Sequence, residues 1–177
     1  MPAKPRIRSV ETIAESRLFR IEELHLTFSN GVERVYERMV GDYPDSVIIA
    51  PFLDNETLLM IREYSAAIDA YELTLPKGLV DDGEDFFEAA NRELQEEIGY
   101  RAGNLDYLCP LRIAPGYIDH TSHVIRATGL SPSRLPGDEP EALEIIPCSI
   151  GDIDDIIARE DVTDARTIAT LYLVNRQ

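Results

Sequence analysis

The chain has 177 residues, 44% of them hydrophobic, which suits one domain with a sizeable core. Seventeen basic against thirty-three acidic residues give a net charge of −16, so no basic stripe is available to grip a nucleic acid backbone. Any anionic ligand would have to be drawn in by bound cations or a few local arginines, against the overall field.

Two cysteines, Cys109 and Cys148, make neither a disulfide framework nor a zinc site. Both sit beside prolines in apolar settings, as small buried hydrophobes do. The N-terminal run MPAKPRIRSVET has no apolar leader core, and no run approaches the length of a membrane span. The expectation is a cytoplasmic protein that binds neither membrane nor nucleic acid.

In chain order, Ile7 to Ile13 and Leu18 to Phe28 read as strands, and Ser29-Asn30-Gly31 is a strong hairpin signal before Val32 to Val40. Ser46 to Leu53 is a continuous apolar run, as in a strand buried on both faces. Asp54-Asn55-Glu56 turns the chain, and Thr57 to Arg62 is the expected partner strand. Tyr71 to Leu75 is a further short strand leading to Pro76-Lys77-Gly78.

The stretch from Gly78 to Tyr100 is the informative one. A helix opening near Glu84 would bury a stripe through Phe87, Ala90, Leu94 and Ile98. At about 100° per residue, Glu93 and Glu97 then lie together on its flank, with Glu96 one step further round. Like charges at this spacing repel, so the face is either solvated or covered by a divalent cation. Hard carboxylate oxygens suit Mg²⁺ or Mn²⁺.

Beyond it, Leu105 to Ile113 reads as a strand with Pro110 near an edge or bulge. Ala114 to His120 must be a loop, and Thr121 to Thr128 alternates as a strand. His120 and His123 are candidate acid–base groups, although a lone histidine near a strand is more often structural or solvated. Leu130 to Leu143, with three prolines and three acids, is an acidic loop before a last strand, Glu144 to Cys148. Helices follow from Ser149, with Ile153, Ile156 and Ile157 inward, and over Asp164 to Asn175, with Ile168, Leu171, Tyr172 and Val174 inward. No internal repeat, linker or second domain is visible.

Gly78, five residues, Glu84, seven residues, then Arg92-Glu93-Leu94-Gln95-Glu96-Glu97-Ile98-Gly99-Tyr100 looks like a complete Nudix box. The chain resembles the Nudix hydrolase superfamily, and most of all its ADP-ribose pyrophosphatase and ADP compounds hydrolase branch. Shorter blocks carry that resemblance along the chain: YERM from Tyr36, IREY from Ile61, YEL from Tyr71, EAANREL from Glu88 and GDEPE from Gly137.

The resemblance implies an α+β fold, an α/β/α sandwich with a mixed sheet flanked by helices. It also implies an antiparallel β extension over 1–42, which exchanges across a homodimer, followed by the hydrolase domain over 43–177. An ordinary sheet edge is the other reading of that hairpin. The implied reaction cleaves the diphosphate of ADP-ribose and related ADP-X compounds, releasing AMP and a phosphorylated remainder, with Mg²⁺ or Mn²⁺.

Within the box, the resemblance implies Glu93 and Glu97 as principal metal ligands, assisted by Glu96. Arg92 would hold a carboxylate, and Gly78 and Gly99 would permit turns. The Lys77 backbone carbonyl matches a metal ligand, and the lysine itself departs from the small residue common there. Glu139 and Glu141 match a loop glutamate that binds metal or orients the attacking water; a solvated loop is the bland alternative. Arg62 matches a diphosphate-binding arginine, or is an exposed strand end. Arg38, Tyr36 and Phe28 are candidates for substrate binding, the aromatics by stacking adenine, and Pro115 stands where such enzymes carry a proline. Two alternatives are a nucleoside triphosphate pyrophosphatase, which usually lacks the long hairpin, and an ADP-ribose-sensing module, which usually loses the box glutamates.

Overall fold

The computed structural model describes residues 3–41 and 44–176, so the expected boundary at 42 and 43 lies outside the described residues. The chain falls into two compact units. The first holds the described residues up to 41 together with Arg112–His120; the second holds Pro44–Leu111 and the described residues from Thr121 onward.

In the first unit, strands β1 (Arg6–Glu15), β2 (Arg20–Thr27) and β3 (Glu33–Val40) form an antiparallel sheet in that order. β2 starts two residues later than the pattern suggests, because the Ser16 hydroxyl accepts from the Leu18 and Phe19 amides and holds them in a turn. The expected hairpin follows β2. Gly31 takes a φ of +83°, and the Phe28 amide donates to the Val32 carbonyl at 2.9 Å, closing a loop that glycine alone enters cheaply. The loop Ala114 to His120 joins this unit, where the Met39 amide donates to the Tyr117 carbonyl at 2.7 Å. Ile7, Val10, Ile13 and Val35 remain exposed on the sheet.

The second unit contains β4 (Ser46–Pro51), β5 (Thr57–Ser65), β6 (Ala70–Thr74), β7 (Lys77–Leu79), helix α1 (Phe86–Glu93), β8 (Tyr100–Arg101) and β9 (Asn104–Leu111). β10 (Ser122–Thr128), β11 (Ser131–Pro132), β12 (Glu144–Ser149), α2 (Ile153–Ile157) and α3 (Ala165–Val174) complete it. One sheet has the order β7-β4-β10-β9, with β4 and β10 parallel and the other pairs antiparallel. A second has the order β12-β5-β6, and β8 pairs with β11.

β4 is buried at every position, and its alternation feeds two cores. Ile48, Ala50 and Phe52 pack with Ile153 of α2 and Leu171 of α3. Val47 and Ile49 pack with Ala89 and Ala90 of α1. Helices therefore cover both faces, as in an α/β/α sandwich.

Three expectations need correction. β5 is not the ladder partner of β4: apart from one bridge, Phe52 to Leu58, both edges of β4 are taken by β7 and β10. Tyr172 faces outward on α3, while Ile168, Leu171 and Val174 pack on the core. Cys109 and Cys148 are half-buried against that core rather than enclosed by it. Pro110 behaves as expected, in edge strand β9 beside a register shift. Among the described residues no helix is long and apolar enough to cross a membrane.

Candidate active site

The site is assembled between β7 and α1. Asp85 caps the helix, accepting from the Phe87 and Glu88 amides at 2.8 and 2.9 Å, while the Glu88 carboxylate accepts from the Asp85 amide. The apolar stripe begins one residue earlier than its spacing suggests. Phe87 is exposed, whereas Phe86 stacks on His123 with ring centres 3.7 Å apart. Ala89, Ala90, Leu94 and Ile98 are buried beyond it.

From Leu94 to Ile98 the helix widens into a π turn, which ends at Gly99 with a φ of +72°. Gly99 thus permits a turn, as expected. Gly78 does not: it lies inside β7, opposite Val47. A Cβ there would overlap the Glu93 carboxylate, so its role is to let an acidic side chain lie against the strand.

Burial separates these acids from ordinary surface carboxylates. Glu93 is 9% exposed and Glu97 6% exposed. Burial pushes Glu93 up to about 7, with Arg92 opposing the shift and Glu96 and Asp138 adding to it. Burial likewise raises Glu97 well above its ordinary value, against the pull of Lys77.

Arg92 is the clamp. Its Nε and Nη2 donate to Glu84 at 2.9 and 3.1 Å, and Nη1 donates to Glu93 at 2.7 Å and Glu96 at 3.0 Å. The remaining Nη2 bond goes to the Leu79 carbonyl at 2.7 Å. Its hydrogen bonds, and to a lesser degree its charge, hold Glu84 below the usual carboxylate range. β7 is the edge strand of its sheet, and the Lys77 amide donates to Glu97 at 3.1 Å.

A cavity of about 490 Å³ opens here, lined by Lys77, Arg92, Glu93, Glu96, Asp138 and Glu139. A neighbouring one of about 260 Å³ takes in Glu97, Arg134 and Glu141 and shares Glu96 and Glu139. Among the described residues no three acidic or histidine side chains stand close enough to cage an ion as they are now paired. The donor chemistry nevertheless fits a divalent cation: buried carboxylate oxygens, held at raised proton affinity, have an electrostatic deficit that hard cations relieve.

A NUDIX domain matches residues 42–171, and a NudE-type Nudix hydrolase N-terminal domain matches residues 5–38. The chain belongs to the Nudix family. This Nudix chain is 44% identical to the ADP compounds hydrolase NudE of Escherichia coli (strain K12) over 171 residues, covering 97% of itself and 91% of that protein. It is 26% identical to an ADP-ribose pyrophosphatase of Bacillus subtilis (strain 168), across 89% of itself and 88% of the relative. A crystal structure of ADP compounds hydrolase superposes with a TM-score of 0.92 at 43% identity, covering 99% of this chain and 95% of the other. Nudix hydrolases generally require a divalent metal ion, which agrees with the donor set described above.

The other expected site residues of this Nudix chain are dispersed. Glu139 reaches the larger cavity and is raised by burial and by Glu63. Glu141 lines the smaller one, with its carboxylate accepting from the Tyr71 hydroxyl at 2.6 Å. The Arg62 guanidinium donates from Nε to Glu144 at 3.0 Å and from Nη1 to Asp161 at 2.8 Å. Arg38, Tyr36 and Phe28 lie in the first unit. Arg38 forks onto Glu22 at 2.9 and 2.8 Å, and the Phe28 and Tyr36 rings are 6.5 Å apart. Pro115, Tyr36 and Arg38 line one cavity of that unit. His123 is structural, bonded to Asp45 and Tyr107 at 3.0 Å each.

Glu63 was not anticipated. It ion-pairs with the Lys77 ammonium and raises both Glu97 and Glu139. Its only trace in the sequence is its place in the IREY block, one residue from the arginine that drew attention instead.

Proposed function

We propose that this chain hydrolyses the diphosphate of ADP-ribose and related ADP-X compounds, releasing AMP and phosphorylated X, such as ribose 5-phosphate. The observation that carries the reading is the complete set of box glutamates beside an open cavity, with Glu93 and Glu97 buried, Arg92 bonded to Glu84, Glu93 and Glu96, and the Lys77 amide bonded to Glu97. The full-length likeness to an ADP compounds hydrolase supplies the substrate class.

Mg²⁺ is the proposed cofactor, with Mn²⁺ as substitute. Glu93, Glu96, Glu97, the Lys77 backbone carbonyl and Glu141 are the groups that would hold it. Bound there, the ion neutralises phosphate charge and makes water more acidic. The chain's own contribution is orientation and proton handling. Arg92 fixes Glu93 and Glu96, and the Lys77 amide fixes Glu97. Glu139 faces the same cavity with raised proton affinity, as suits a group that orients the attacking water and takes its proton. Glu141 is the alternative for that task once it leaves Tyr71.

Phe28 and Tyr36 are the proposed adenine contacts, and Arg38 is a phosphate or ribose contact. The extension is proposed to assemble a homodimer, in keeping with the apolar residues exposed on β1 and β3. The protein is proposed to act in the cytoplasm. Chromatographic separation of products from ADP-ribose with Mg²⁺, against a panel of deoxynucleoside triphosphates, tests the reaction. AMP release preferred by at least about tenfold supports it; faster triphosphate cleavage, or binding without cleavage, would replace it with one of the two alternatives. Sedimentation equilibrium at micromolar concentration tests the dimer, and a monomer throughout would end that part.

A further inference from the structure

All five N–H donors of Arg92 are used by Glu84, Glu93, Glu96 and the Leu79 carbonyl, so Arg92 has none left for Glu97 or Glu139. Lys77 is a cation whose charge bears on both. Its amide already donates to Glu97, it lines the cavity beside Glu139, and its ammonium forms an ion pair with Glu63 from β5. The pair is largely shielded, with side chains 19% and 25% exposed, so solvent only partly damps its field.

We propose that the Lys77–Glu63 ion pair sets how strongly the box carboxylates attract a divalent ion. Lys77 is the internal counter-ion of Glu97 and Glu139, and Glu63 draws its ammonium aside. The two charges act in opposite directions on an arriving cation. Lys77 repels it and keeps the buried acids tolerable before it arrives; Glu63 attracts it and cancels the repulsion. Held together, they leave the site able to bind and release its ion. This inference rests on the proposed function, because it needs the cation to enter at the box.

The test is Mg²⁺ titration of the substrate-free protein by calorimetry and thermal melting, in the wild type, Lys77→Met, Glu63→Gln and the double variant. Backbone groups at position 77 are unchanged by the substitution. K77M should bind Mg²⁺ about tenfold more tightly and melt lower in EDTA, and E63Q should bind on the order of tenfold more weakly. The double variant should return to within about threefold of wild type, because the two opposed charges are then removed together and their effects on the arriving ion cancel. A wild type that responds to Mg²⁺ while all variants stay within about threefold of it overturns this inference alone. A wild type with no response overturns the proposed function as well. Both substitutions are near-isosteric, and E63Q decides the matter by itself if K77M fails to fold: unchanged affinity in E63Q is refutation.

Discussion

Replacing Arg92 with alanine removes one side chain from four partners at once. Glu84, Glu93 and Glu96 would keep their burial and lose their cation; their side chains are 21%, 11% and 19% exposed. Breaking a fully buried ion pair costs about 3–5 kcal/mol. Partial exposure lowers that figure, and protonation of Glu93 offers a second escape, so a loss of about 2–4 kcal/mol is expected at pH 8. At about 2–4 °C per kcal/mol for a chain of this size, the melting temperature in EDTA should fall by roughly 5–15 °C. The pH dependence has a definite sign. A carboxyl whose folded affinity for the proton is raised favours the fold at low pH, and this contribution is lost as pH climbs from the ordinary carboxylate range through about 7. The deficit of the variant should therefore be smaller at pH 6 than at pH 8, where Glu93 is left bare. Saturating Mg²⁺ should recover part of it at pH 8, and Arg92→Lys should be intermediate, since one ammonium cannot fork as a guanidinium does. Calorimetric melts at the two pH values, with and without Mg²⁺, give the answer. A fall under about 1 °C at pH 8, or a larger fall at pH 6, would refute the clamp.

Glu97→Gln should lower turnover by at least about a hundredfold, on the scale of losing a preorganised charged group, while the melting temperature in EDTA holds or rises, because a buried charge that Lys77 balances only in part has gone; steady-state kinetics with intact activity would contradict the assignment. Gly78→Ala should cost no more than about 1–3 kcal/mol, because the obstructed atoms are the movable end of Glu93, yet it should cut turnover steeply. Full activity in that variant would mean the carboxylate need not lie on β7. Asp161, held well below the usual carboxylate range by Arg159 and Arg62, stabilises the fold above about pH 4 and progressively less as pH falls through its folded value. Asp161→Asn should then show a deficit of about 1 kcal/mol at pH 7 that closes in acid; denaturant titrations showing a constant gap would count against the bridge.

Much of the fold was legible because its signals were local. Ser46 to Leu53 announced a strand enclosed on both sides by its unbroken apolar run, and Asn30-Gly31 marked the hairpin. The box was legible residue by residue, from Gly78 through Arg92 to Gly99. What failed was long-range or depended on competition. Nothing local reveals that β7 and β10 claim both edges of β4 before β5 can. Phe86 displaced Phe87 from the interior because His123, thirty-seven positions away (123 − 86), offers it a ring to stack on. Glu144 and Asp161, which hold the Arg62 guanidinium, are far along the chain, and no local pattern announces them. Glu63 escaped notice because a single acid in a strand carries no pattern, and its meaning depends on Lys77 facing it across two strands.

The π turn from Leu94 to Ile98 bears on how the chain would accept a change in length. Such a turn is a helix that has absorbed one surplus residue while keeping its hydrogen-bond ladder. A single deletion within it could be taken up by tightening to ordinary α geometry, leaving Phe86 and Gly99 near their anchors. The cost would fall on the acids, because the Arg92 and Lys77 amide partners are then met by a different rung of the helix. The segment that supplies the chemistry is thus the one where architecture forgives a lost residue and activity does not.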